Sequence, residues 1–347
     1  MKNLIFIISI IIILFKTGNV LSENNIFNVN NIEINEKKSL NKDKLANRAF
    51  KEAFDQLIYR LLLKEDYEKV SGTNLNVIKN LVSYYQILDP EDSNDNNKVK
   101  FQIFFDKRRM HDFFYQKNIL YSDIINTEVI IFPLLKKEKK FYVYSKNYFF
   151  DNWIKISSND LIQFSLPVAN IENIQKINQA KENIYKLDIS EFFKEYKKNN
   201  LVFVNIDVED KKAKIFLSSR IGGKKIKKTS SILKINDTDE SEFNNEVILH
   251  TNNIIRDIIK SQNLIDVRTP SFLNVQIKLD KESNFVNFTE KMKNIDLVEN
   301  YYVQQLNKDY VMIKIKYLGK INKIIEKLKE QNIDLKMTGG QWVLRII

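Results

Sequence analysis

The chain has 347 residues, with 55 Lys and Arg against 44 Asp and Glu, a formal charge of +11 and no cysteine. The missing cysteine excludes disulfides, thiolate metal sites, a cysteine nucleophile and a lipid-modified cysteine anchor. The length is ample for a disulfide-free core and suggests two or three domains.

The chain opens Met1-Lys2-Asn3 and then runs almost unbroken in apolar residues from Leu4 to Phe15. A short positive end before such a core is the order of a secretory signal peptide. The run is shorter than the roughly 18 residues a membrane-spanning helix needs, and Lys16 interrupts its extension, which argues against an uncleaved anchor. Val20-Leu21-Ser22 sets modest side chains before Glu23, so cleavage is expected after Ser22 and the mature chain is expected in the periplasm.

Export changes how the charge is read. Residues 23–125 hold 16 basic and 16 acidic groups, residues 126–268 hold 24 and 19, and residues 269–347 hold 13 and 9. A thin, dispersed excess is not the concentrated footprint of a nucleic-acid binder. Abundant Lys, Asn and Ile beside only 7 Gly and 4 Pro suit an AT-rich coding sequence instead. No nucleic-acid partner is expected, while peripheral contact with an anionic membrane surface stays open.

The first domain is read as 23–125. Ile26 to Ile34 partly alternates and predicts a strand. From Asn41, a candidate N-cap, Leu45, Ala46, Ala49, Phe50, Ala53, Phe54, Leu57, Ile58, Leu61 and Leu62 recur at helical spacing. A short helix at Leu75–Asn80, a strand at Leu81–Leu88, an acidic turn through Asp89 to Asn97, a strand from Val99 to Phe105 and a helix near Met110–Gln116 complete an α+β domain.

The middle domain, 126–268, opens with Glu128 to Leu134, whose continuous apolar run predicts a strand buried on both faces. Strands at Lys140–Tyr144 and Ile162–Val168 flank an aromatic helix around Phe149, Phe150 and Trp153. Helices are expected near Ile171–Lys181 and Ile189–Lys197, then strands Leu201–Val208 and Ala213–Ser219, a hairpin through Gly222-Gly223 into Lys224–Ile235, and a long helix over Glu240–Ser261. The mixture predicts helices covering a mixed sheet.

The last domain, 269–347, reads strand, helix, strand, strand, helix, strand. Val311, Ile313, Ile315 and Tyr317 alternate with Met312, Lys314 and Lys316, and Ile321, Ile324, Ile325 and Leu328 share one helix face. This βαββαβ order is ferredoxin-like, with Gly339-Gly340 turning the final strand Leu335–Ile346 back on itself. The chain as a whole is therefore expected to be a multidomain α+β protein with mixed sheets.

Asp106-Lys107-Arg108-Arg109-Met110-His111-Asp112 is the densest ionisable group and lies where a strand ends and a helix starts. Asp106, Arg109 and His111 form the candidate site, since acid, cation and imidazole at a strand end are a common catalytic setting. The same residues also read as a solvated helix start. His250 is expected to be structural or at the surface. With two histidines and no cysteine, no transition-metal site or other cofactor is expected, and Asp237, Asp239, Glu240 and Glu242 read as an acidic turn that complements a helix dipole. Gly222-Gly223-Lys224-Lys225 lies between strands and reads as a hairpin, not a phosphate cradle. No catalytic constellation is recognised.

Ala46, Ala49 and Ala53, then Val82-Ser83-Tyr84-Tyr85, then the strand Val99 to Phe105 ending at Asp106, resemble a family of secreted proteobacterial proteins of unknown function (domain of unknown function 2066). Gly319 to Leu328 and Trp342 are similar to that family's end, although glycines and tryptophans expected after the Phe-Asp strand are missing. The resemblance implies an envelope protein and transfers no catalytic residue. The leading expectation is a non-enzymatic periplasmic protein that binds another envelope protein. The competing one is an enzyme or carrier acting on an envelope glycan or lipid at Asp106 to Asp112. Terminal sequencing of the exported product should give Glu23 first; a chain that retains Met1 would contradict the cleavage reading.

Overall fold

A computed structural model describes residues 26–35, 42–88, 98–124, 127–157, 162–193, 195–196, 200–209, 211–235, 238–279 and 283–347. The expected signal segment, Asn41 and the turn at 89–97 lie outside them. No described helix is long and apolar enough to cross a membrane.

In the first segment β1 (Asn28–Asn35), β2 (Val82–Leu88) and β3 (Lys98–Phe105) form an antiparallel sheet in the order β1-β3-β2. β3 is central and points Phe101, Ile103 and Phe105 inward at strand period. Helix α1 (Lys42–Leu61) places its predicted stripe against that layer, with Ala49, Ala53, Phe54 and Leu57 buried. The alanines keep the helix close, and Phe54 meets Phe105 and Phe113 with ring centroids 6.3 and 5.9 Å away. Two short helices, α2 (Lys64–Val70) and α3 (Leu75–Leu81), lead to β2, and α4 (Lys107–Lys117) follows β3.

The middle segment contains β4 (Thr127–Lys137), β5 (Lys140–Tyr142), α5 (Tyr148–Ile156), β6 (Ile162–Ser165), α6 (Ile171–Gln179), β7 (Leu201–Glu209), β8 (Lys212–Ile221), β9 (Lys224–Leu233) and α7 (Glu240–Gln262). The sheet order is β9-β8-β7-β4-β5, with β6 also on β4. β4 is parallel to β6 and β7, and the remaining pairs are antiparallel. β4 is buried on both faces, as its unbroken apolar run requires. Val129, Ile131 and Leu135 join Phe149, Trp153, Val247 and Ile255 under α5 and α7. Ile130, Phe132 and Leu134 join Ile177, Phe192 and Phe203 on the opposite face. Each such side chain contributes about 1.5–3 kcal/mol on burial. Where one helix was expected over Ile189–Lys197, short 3-10 turns form at Ile184–Lys186 and Ile189–Phe192.

A break in this sheet explains a proline in its interior. β6 pairs with residues 127–130 of β4 and β5 with residues 135–137, which leaves the edge between them without a strand partner. Pro133, which has no N–H to give, falls in that gap. Asn147 fills it: its Nδ2 donates to the carbonyls of Pro133, Tyr142 and Val143 at 2.9, 3.0 and 2.9 Å. Its Oδ1 accepts from Phe149 and Phe150 as the N-cap of α5, and the side chain is fully buried.

The last segment has β10 (Ser271–Lys278), α8 (Ser283–Lys293), β11 (Val298–Leu306), β12 (Tyr310–Tyr317), α9 (Ile321–Glu330), β13 (Ile333–Thr338) and β14 (Gln341–Ile346). Its sheet order is β11-β12-β10-β14-β13. The ferredoxin-like βαββ core is present. The final segment turns back on itself at Gly339-Gly340 as expected: with φ of 58° and 80° they close a tight hairpin, so that it forms two strands. β14 enters beside β10 in parallel, and β13 takes the edge. Phe288, Met292, Ile324 and Leu328 are buried together with Val275, Ile277, Val311, Ile313 and Ile315.

The chain forms two compact units. Among the described residues, one combines those of 26–59, 66–121 and 265–347, and the other those of 60–65 and 122–264. The first and last segments thus share one unit.

Replacing Asn147 by Ala removes a helix cap and strands buried carbonyls. Trp153 fluorescence in urea should show the middle unit destabilised by about 3 kcal/mol. A loss below about 1 kcal/mol would contradict the role assigned to Asn147.

Candidate functional site

The three residues singled out in the sequence are brought to one helix start but face different tasks. Asp106 is the N-cap of α4: its Oδ1 accepts from the Arg109 N–H at 2.9 Å, and its own N–H donates to the Leu81 carbonyl at 2.8 Å. The Arg109 guanidinium donates to the Asn80 carbonyl at 2.9 Å, near the end of α3. Both contacts orient α4 against the preceding strand and helix.

His111 turns inward and is only 7% exposed. Phe27 meets its ring edge-on at 5.5 Å, and Tyr121 stacks at 5.6 Å. Nδ1 lies 2.8 Å from Glu299 Oε1 and Nε2 lies 3.1 Å from the Tyr121 hydroxyl. Both ring nitrogens are thereby engaged, one on the carboxylate and one on the phenol. Lys316 lies 3.6 Å from the second carboxylate oxygen, and Lys107 donates to the Val298 carbonyl at 2.9 Å. The His111 bond, then the electrostatic pull of His111, Lys316 and Lys107, hold the Glu299 carboxyl below its ordinary range against the opposing effect of burial. This cluster is a buried hydrogen-bond relay whose geometry ties α4 to β11.

The partners of His111 were not visible in the sequence. Glu299 is 188 residues away. Its one local signal is that it is the only charged residue in β11, whose sequence is Val-Glu-Asn-Tyr-Tyr-Val-Gln-Gln-Leu. His250 sits half-buried on α7, 2.8 Å from the Ser230 hydroxyl, and burial pushes its pKa down. Gly222-Gly223 is a hairpin turn, with φ of 53° and 78°. Asp239 caps α7 by accepting from Glu242 N–H.

A second feature, absent from the sequence reading, lies in the middle unit. A groove of about 500 Å³ runs between the β4–β5 turn and the first turns of α7. Leu135 and Val208 are apolar lining groups, Tyr142 and Tyr148 contribute rings, and Glu138 and Lys146 are at its border. Lys137 and Glu240 pair across it at 2.7 Å, which raises the lysine pKa and lowers that of the carboxyl. The Tyr148 hydroxyl is taken by Ser241 and Asn245, at 2.8 and 2.7 Å. Asn244, 6% exposed, lines the groove with its Oδ1 buried and without a hydrogen-bond partner among the described residues.

The Glu299 shift sets a pH dependence. A carboxyl with a depressed folded pKa adds stability above its unfolded pKa, near 4.5, and loses it as pH falls through the folded value. Glu299→Gln should cost the unit carrying Trp342 about 1–2 kcal/mol at pH 7 and flatten its acid limb below about pH 4.5. Urea midpoints at pH 7 and pH 3 test this; an unchanged acid limb would contradict it.

No family model matches the chain, and no curated protein matches it. Among solved structures, the chain is similar to the lipoprotein GNA1162 from Neisseria meningitidis at 14% identity, over 37% of this chain and 96% of that one, with a TM-score of 0.24. A likeness at that level carries no argument about fold or role.

Proposed function

We propose that the mature chain is a non-enzymatic periplasmic protein that binds another envelope protein by adding a strand to an exposed sheet edge. The observation that carries this reading is the chemistry of two edges in the unit formed by the first and last segments. An edge strand offers unpaired backbone donors and acceptors, and proteins normally guard it with charge, proline or a bulge. β1 has a register shift between Val29 and Ile32 and carries Glu33; β9 carries Lys224, Lys225, Lys227 and Lys228; β13 carries Asp334 and Lys336.

β2 and the outer part of β11 have no such charge. In a chain with 29% charged residues, Val82–Leu88 has none, and β11 has none after Glu299. Tyr84, Tyr85 and Ile87 on β2, and Tyr302, Val303 and Leu306 on β11, are each between 43 and 66% exposed. Tyrosine and aliphatic side chains on a strand that is an edge among the described residues are the composition of a strand-addition site. The register shifts in both strands fall at Val82/Tyr84, Val298/Asn300 and Val303/Gln305, which leaves Tyr84–Leu88 regular. The expected export signal and the family resemblance support the envelope setting.

A photocrosslinking residue at position 87 or 303 should capture a discrete envelope protein in cells. Ile87→Lys and Val303→Lys should abolish that product while changing stability by no more than about 0.5 kcal/mol. Recovery of the monomer alone from both positions would overturn the reading.

A further inference from the structure

We propose that the groove of the middle unit is a binding site for a neutral, hydroxyl-rich ligand of the saccharide class, with Asn244 as its principal hydrogen-bonding group. The starting point is Asn244 itself. A carboxamide that is 94% buried normally has its oxygen paired, because an unmet acceptor away from water destabilises the fold. Here Oδ1 has no partner among the described residues, and the nearby Tyr148 hydroxyl is already bonded to Ser241 and Asn245. A ligand hydroxyl seated against the Asn244 carboxamide supplies the missing donor.

The rest of the site selects the class. Its charges balance: Lys137 and Glu240 neutralise each other across the rim at 2.7 Å, and Lys146 is matched in number by Glu138. The four charged lining residues thus sum to zero. Tyr142, Tyr148, Leu135 and Val208 provide apolar surface beside the amide. A sugar ring presents that combination in reverse, with apolar C–H faces and hydroxyl edges that both donate and accept. This inference does not depend on the edge-strand reading, since it concerns different residues in the other unit.

The test is calorimetric titration of the full mature chain with chitotetraose, maltotetraose and isomaltotetraose, with inorganic phosphate as the anionic probe. At least one neutral oligosaccharide should bind. Asn244→Leu should weaken it by about tenfold or more, while the melting temperature holds or rises because the unmet amide is gone. Asn244→Ser, smaller and still polar, gives a second test of the same loss should the leucine not pack. Binding of phosphate alone, no binding of any of the three sugars, or sugar affinity within about twofold of wild type in a folded Asn244 variant would overturn the proposal.

Discussion

The contact on which the first unit depends is the one between His111 on α4 and Glu299 on β11, 2.8 Å apart across 188 residues of sequence. The chain has no cysteine to bind its first and last segments covalently, so a specific polar contact inside an apolar surround must fix their register. Phe27, Phe114 and Tyr121 enclose that contact: Tyr121 is 5.4 Å from Phe114 and 5.7 Å from Phe27 between ring centroids. Lys107 on the Val298 carbonyl and Asp296 accepting the Ile26 N–H at 3.3 Å extend it on either side. The ionisable cluster that stands out in the sequence is thereby explained as structure. Asp106 starts the helix, Arg109 anchors it to the preceding carbonyl, and His111 spends both ring nitrogens on partners.

The middle unit solves a different problem. β4 must be apolar on both faces because α5 and α7 lie on one side and α6 with its two 3-10 turns on the other. A strand so placed gains most from complete pairing, yet Pro133 interrupts it. The buried Asn147 repairs the interruption and starts α5 with the same side chain. Trp153, further along the helix, then donates to Asn252 at 3.1 Å, and Asn252 donates to Ser157 at 2.7 Å, so α5 and α7 are joined by satisfied polar groups within the core. Asn244 on the same helix α7, like Asn205 on β7, differs in having a buried carboxamide oxygen with no hydrogen-bond partner among the described residues.

Much of the fold was legible in the sequence because its signals are local. The alternation of Val311 to Tyr317, the helical spacing of Ile321 to Leu328, the continuous run of Glu128 to Leu134 and the Gly222-Gly223 turn each report a period or a φ requirement contained in a few residues. What escaped was non-local or chemically plain. α2, with the sequence Lys-Glu-Asp-Tyr-Glu-Lys-Val, buries only Val70 and so has no apolar stripe to announce it. The split of the final strand followed from Gly339-Gly340, but which half would lie beside β10 depends on tertiary pairing. Glu299 and Tyr121 became site residues only when the two segments met. Asn244 carries no sequence signal, since its significance lies in a partner it lacks.

The two uncharged edges follow from the same arrangement. Joining the first and last segments leaves β2 and β11 as edges of their sheets, and neither carries the lysines that guard β9. The most direct measurement of the central claim is amide hydrogen exchange on the full mature chain, alone and after incubation with envelope extract. Strand addition predicts new protection confined to the backbone amides of Tyr84–Leu88 or Asn300–Leu306, with β9 unchanged. Exchange at both edges that is identical with and without extract would contradict it.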